Sequence, residues 1–183
     1  MYLKTRENKK PRIFLLVGAP FSGKSTIAKE LALKYEAEII SKPDIKRILF
    51  HAKQGKNPSS KQVFRCMLSQ IVDCVCTNRN IVIDGTFITT AQRERLLKVL
   101  NDLGEFESYL NSALEYKRYI NSINFLFYEV IGVYIKPNYE LAQHKNKECN
   151  FPISVYDLEE QYRDFEKPCK SEGFNKIITR RAQ

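Results

Sequence analysis

The sequence predicts an α/β fold in which helices pack on both faces of a mainly parallel sheet. Three observations carry that expectation. Short runs rich in Ile, Val and Phe alternate with longer stretches whose apolar residues recur at helical spacing. The first run, Ile13-Phe14-Leu15-Leu16-Val17, is apolar at every position, as in a strand buried on both faces. It runs into Gly18-Ala19-Pro20-Phe21-Ser22-Gly23-Lys24-Ser25-Thr26, which has the G-x-x-x-x-G-K-[ST] spacing and opens a helical pattern.

Taken in order, Arg12–Val17 is expected as a core strand and Ser25–Tyr35 as the first helix. Glu38–Ser41 reads as a short second strand. Asp44–Lys53 follows as a helix with Ile45, Ile48 and Leu49 on one face, and Pro43 stands at its start. Gln54–Ser60 has turn chemistry, and Lys61–Thr77 has Val63, Met67, Ile71 and Cys74 at helical spacing. Asn80–Asp84 is a strand closed by a carboxylate, and Thr89–Leu103 a helix with Leu96, Leu97, Leu100 and Leu103 in phase. Glu105–Asn121 is helix-like but rich in Asn and Ser. Phe125–Ile135 should contain a core strand, and Tyr139–Lys147 a short polar helix or loop. Ile153–Phe165, started by Pro152, is a last helix, and Phe174–Thr179 a last strand. Alternation of this kind is the pattern of a parallel sheet with crossover helices. With 183 residues the chain is expected to form one domain, 12–183, after a basic tail at 1–11.

Composition narrows the class. No apolar run approaches the roughly 20 residues of a membrane span, and Met1–Arg12 lacks the apolar segment of a secretory signal. An intracellular, cytoplasmic protein with no membrane contact is the expectation. Five cysteines include no C-x-x-C pair, so reduced thiols are expected rather than a metal site. The 30 Lys+Arg against 21 Asp+Glu leave a formal charge of +9, concentrated near both ends of the chain. Such a surface attracts polyanions, although a merely solvated face would have the same composition.

The glycine loop implies phosphate chemistry. Gly18 and Gly23 allow a backbone turn whose N–H groups converge on a phosphate, and the following helix adds its positive dipole end. Lys24 is expected to reach the β- and γ-phosphates of ATP, and the Ser25 hydroxyl to ligate Mg²⁺. Asp84, ending a buried strand, is placed for the same metal ion, since ligands of open α/β sheets lie at that edge. Asp44 follows the second strand at the same edge and is the candidate base. Arg47, one turn later, could bind an anion of the acceptor as a fork. An exposed Asp–Arg pair on a helix surface is the plain alternative. Cations over the transferring phosphates are sought at Arg93 and Arg95 or at Lys145 and Lys147.

With these residues in view, the chain resembles the polynucleotide 5′-hydroxyl kinases of the phage type, kinase domain only, within the adenylate-kinase-like P-loop proteins. Asp44-Ile45-Lys46-Arg47 is similar to that family's D-x-x-R, and Asp84-Gly85-Thr86 with Arg93 to its D-x-T-N and trailing arginine. Phe151-Pro152-Ile153 and Lys167-Pro168…Glu172-Gly173-Phe174 resemble its V-P-x helix start and P-x-x-x-E-G-F ending. The resemblance implies a three-layer P-loop NTPase sandwich and ATP-dependent phosphorylation of a nucleic acid 5′ end, RNA or DNA. It makes Asp44 the base, Arg47 a contact to the acceptor's phosphate, and Thr86 and Arg93 further site residues. It also implies a lid near 138–152, where the family's R-N-x-x-R is replaced by Gln143-His144-Lys145-Asn146-Lys147, so that lysines substitute for arginines. Phe21 and Phe87 stand at a usual glycine and a usual asparagine, and about 105–124 looks like an insertion. Rival readings are a small-molecule, tRNA-linked or zeta-toxin-like kinase, and a degenerate regulatory ATP-binding module. Oligomeric state and RNA-versus-DNA preference are not encoded in any feature noted above.

Overall fold

The computed structural model describes residues 11–101, 128–150 and 152–182. The 1–10 tail, the expected 105–124 insertion and Phe151 lie outside them. Five parallel strands form one sheet in the order β2-β3-β1-β4-β5: β1 Arg12–Val17, β2 Ala37–Ser41, β3 Asn80–Asp84, β4 Glu129–Ile135 and β5 Lys176–Arg180. The α-helices among the described residues are α1 Lys24–Tyr35, α2 Lys42–Ala52, α3 Ser60–Cys76, α4 Thr90–Asn101, α5 Tyr139–Glu148 and α6 Val155–Arg163. None of the described helices is long and apolar enough to cross a membrane.

The period-2 alternation of a strand explains the layers. Ile13, Leu15 and Val17 of β1 turn to one face, where they join Ile81 and Ile83, the apolar sides of α3 and α4, and Ile45 of α2. Phe14 and Leu16 turn to the other, against Ile131 and Val133 and the α1 residues Ile27, Ala28 and Leu31. The result is a three-layer α/β/α sandwich with β1 at its centre, so the glycine loop that follows β1 opens at mid-sheet.

Several boundaries move for identifiable reasons. α2 begins at Lys42 rather than Asp44, because Ser41 is its cap and accepts a hydrogen bond from Asp44 N at 3.2 Å. The 139–147 stretch is wholly helical, with the Asn138 side chain accepting from Leu141 N at 3.0 Å. α6 starts at Val155, not Ile153, since the buried Asn146 amide clamps Ile153 in extended form. It accepts from Ile153 N at 2.9 Å and donates to Ile153 O at 2.8 Å. β5 begins two residues after Phe174, which is buried in the core instead.

Candidate active site

At the end of β1 the chain turns through Gly18 into the loop. A Cβ on Gly18 would stand 2.8 Å from Ser22 Oγ and 3.1 Å from Ile135 Cβ, so glycine is required by the close approach. Gly23 has φ 86° and Phe21 φ 57°. The left-handed region is ordinary for glycine and strained for phenylalanine, by on the order of 1 kcal/mol. Ser22 Oγ is buried and is the described side-chain atom that lacks any hydrogen-bond partner. Lys24 Nζ donates to Gly18 O at 3.0 Å and Ala19 O at 2.7 Å. The residue as a whole is half-buried, but its ammonium is the deep part. Burial lowers its pKa from 10.5 to about 8, partly opposed by the nearby Asp84 carboxylate.

Ser25 Oγ donates to Asp84 Oδ2 at 2.8 Å, and Asp84 is buried at 6% exposure. Two residues 59 positions apart thus converge beside Lys24. A buried carboxylate and a hydroxyl are hard oxygen donors, as Mg²⁺ requires. An orphaned buried hydroxyl, a glycine with no room for a side chain and a buried ammonium likewise suit a polyphosphate. The residues present therefore fit both groups.

Asp44 and Arg47 meet on the exposed side of α2, Arg47 Nη2 donating to Asp44 Oδ1 at 2.8 Å. Ser41, the cap of α2, pairs in register with Asp84 of β3, which sets the first turn of α2 one strand from the metal-type carboxylate. Beside it a cavity of about 550 Å³ opens between α2, the start of α3 and α4. Half-buried Thr86 lines it, together with Phe87. The close wall forces Gly85, where a Cβ would meet Phe87 Cε2 at 2.9 Å and the Lys42 stem at 3.1 Å.

Arg93 is not brought to the site, contrary to the expectation that it is a cation over the phosphates. Its guanidinium is fully buried and forms a two-pronged pair with Glu172, at 2.6 and 3.0 Å. It also donates to the Phe87 and Ile88 carbonyls at 3.1 and 2.9 Å and to Thr90 Oγ1 at 3.0 Å. A charge so enclosed is spent on architecture. The pair also accounts for the Glu172-Gly173-Phe174 spelling. Glu172 holds Arg93, Gly173 turns at φ 111°, and Phe174 plugs the core. Lys145 and Lys147 lie on the last turn of α5, Lys145 half-buried and Lys147 exposed.

Sequence reasoning passed over Lys42 and Tyr162. Tyr162 of α6 places its hydroxyl 3.0 Å from Pro20 O in the loop and 3.3 Å from Asn138 O, the cap of α5. It thereby bridges the glycine loop and the expected lid, and burial beside Tyr139 raises its pKa to about 12. No local signal marks a contact 142 residues away in sequence.

Residues 13–112 match the model of the AAA domain family. No curated protein matches the sequence. Among solved structures, a fungal RNA kinase aligns with TM-score 0.61 at 12% identity, over 96% of this chain and 76% of that one. A chain of the Pnkp1/Rnl/Hen1 RNA repair complex aligns at 0.52 and 17%, over 89% of this chain and 46% of that one. A gluconokinase from Sinorhizobium meliloti aligns at 0.52 and 12%, over 95% and 84%. The shared property is the P-loop kinase fold.

Proposed function

The chain belongs to the AAA domain family, and on that premise we propose that it is an ATP-dependent kinase whose acceptor is the 5′-hydroxyl of a polynucleotide. The observation that carries the reading is the register of Ser41 with Asp84, which sets the first turn of α2, the turn that bears Asp44, one strand from the Ser25–Asp84 pair. A donor site and a candidate base then share one sheet edge. The loop amides, Ser22 and Lys24 bind the β- and γ-phosphates of ATP. Ser25 and Asp84 hold Mg²⁺, which when bound neutralises charge between those phosphates. Asp44 takes the proton of the attacking hydroxyl as its oxygen bonds to the γ-phosphorus and the bond to the ADP oxygen breaks. Arg47 orients that carboxylate and offers its remaining donors to a phosphate of the acceptor. Lys145 and Lys147 are the cations proposed to close over the donor.

The charge of +9 favours a polyanionic acceptor. A small anionic metabolite is the second reading, favoured by the cavity of about 550 Å³, a volume usual for small-molecule sites. ATP turnover measured without acceptor, with 5′-hydroxyl RNA and DNA oligonucleotides, and with a metabolite panel separates them. Stimulation by oligonucleotides is expected, and stimulation by metabolites alone removes the polynucleotide reading. Tight ATP binding with no turnover would mean a regulatory module. Asp44→Asn is expected to slow transfer about 10²–10⁴-fold at unchanged ATP affinity. An undiminished rate would show that another group is the base.

A further inference from the structure

Three side chains of the cavity beside Thr86 are cations, Lys42, Lys46 and Arg95, and none of its lining residues is acidic. Lys42 Nζ stands 4.7 Å from the centroid of the Phe87 ring, and Arg95 Cζ 4.7 Å from that of Phe64. An aromatic face holds a cation by its quadrupole without neutralising it. Among the described residues, no salt bridge engages any of the three. Lys42 is also pressed by burial and by the charge of Arg95, which together lower its pKa. On a merely solvated face such cations would be spread apart or paired with carboxylates. Here two elements and two rings fix them around a shared opening, a costly arrangement that an anion would relieve.

We propose that this cavity seats the acceptor and that Lys42 and Arg95 clamp a phosphate group the acceptor already carries, apart from the hydroxyl that is phosphorylated. The kinase reading above is needed only to call the ligand an acceptor; the anion site stands on the cavity. Arg95 and α3 belong to none of the motifs behind the resemblance, so the clamp is a specificity device of this chain. It selects nucleotides and oligonucleotides over uncharged nucleosides and sugars, because an uncharged ligand would leave the two charges facing each other.

The test is equilibrium binding, without ATP, of a nucleoside and the matching nucleoside 3′-monophosphate, with inorganic phosphate as competitor. Phosphorylation of the same two compounds is then followed with ATP. The monophosphate should bind roughly ten- to a hundredfold more tightly. Arg95→Gln and Lys42→Gln should each remove about tenfold of that preference, and Arg95→Lys should restore part of it. Thermal melting checks folding. Arg95 is exposed on α4, so its variant decides the matter if Lys42→Gln fails to fold. Equal binding of the two compounds by the wild type, or full preference in the Arg95→Gln variant, overturns the clamp. Phosphate-dependent binding lost in the variants, with no compound phosphorylated, keeps the anion site and removes the kinase reading. Phosphorylation with unchanged affinities does the reverse.

Discussion

On the donor side, the Lys24 and Ser25 side chains are tied to neighbours. Lys24 donates to two loop carbonyls and Ser25 to Asp84, while the buried Ser22 Oγ stands unclaimed. On the proposed acceptor side, Asp44 and Arg47 pair with each other in solvent, while Lys42 and Arg95 rest on aromatic rings around an open cavity. The donor half is a stretch of consecutive residues plus one strand-end carboxylate. The proposed acceptor half draws on α2, α3, α4 and the turn after β3. A phosphate cradle made of backbone can be specified by local spelling, whereas a pocket made of side chains depends on how elements pack. The P-loop kinase fold is one that the chain shares with a fungal RNA kinase and with a gluconokinase, and a shared fold leaves the acceptor open.

The comparison breaks most severely at Arg93. Arg93→Met would leave the buried Glu172 without its cation, held only by the Cys169 N–H at 2.9 Å, and is expected to cost about 3–5 kcal/mol of stability, read from urea unfolding. Because Arg93 also holds the Phe87 and Ile88 carbonyls, acceptor affinity should weaken before ATP affinity does. Equal losses would mean that the two halves are not separately supported.

A smaller effect is expected from pH. Lys24 has a folded pKa of about 8 against 10.5 ordinarily. Between those values the unfolded chain binds more protons, so the cost of the buried ammonium, full below pH 8, is relieved as pH rises. ATP affinity should move the opposite way, since phosphate needs the charge. It should fall by up to about tenfold per unit above pH 8 in titrations of the free protein. Lys24→Arg, permanently charged, should flatten that profile, while acceptor affinity keeps its own pH dependence in both proteins. A wild-type profile flat to pH 10 would rule Lys24 out as the titrating group.

The smallest effect is at Ser22. Its hydroxyl has no partner to lose, so Ser22→Ala should hold stability or raise it by up to about 1 kcal/mol. ATP affinity should nevertheless fall by roughly three- to tenfold, as measured by calorimetry. Unchanged affinity would show that Ser22 does not donate to phosphate, and would leave the donor half to backbone and Lys24 alone.

Much of the fold was legible because its signals are local. The apolar run 13–17, the run 81–83 and the glycine loop each announce themselves within a few residues, and β1 and β3 have the bounds their patterns suggest. The starts of α2 and α6 were less legible. Ser41 and Ser154 cap them through side-chain oxygens, and Asn146 holds Ile153 out of helix from seven residues away. Arg93 was misread for a similar reason. An arginine after a strand-end carboxylate has the same spelling whether it faces a phosphate or a glutamate.

By itself, then, the sequence determined the layered sheet, the phosphate loop and the presence of Asp44, Arg47 and Asp84 at one edge, because each follows from period, turn chemistry or position after a strand. Only the tertiary structure decided that Arg93 is buried on Glu172 79 residues away, that Tyr162 reaches the loop, and that Lys42 and Arg95 share a cavity. Those outcomes depend on which groups packing brings within hydrogen-bond or ring-contact range, and no local window of the chain contains both partners.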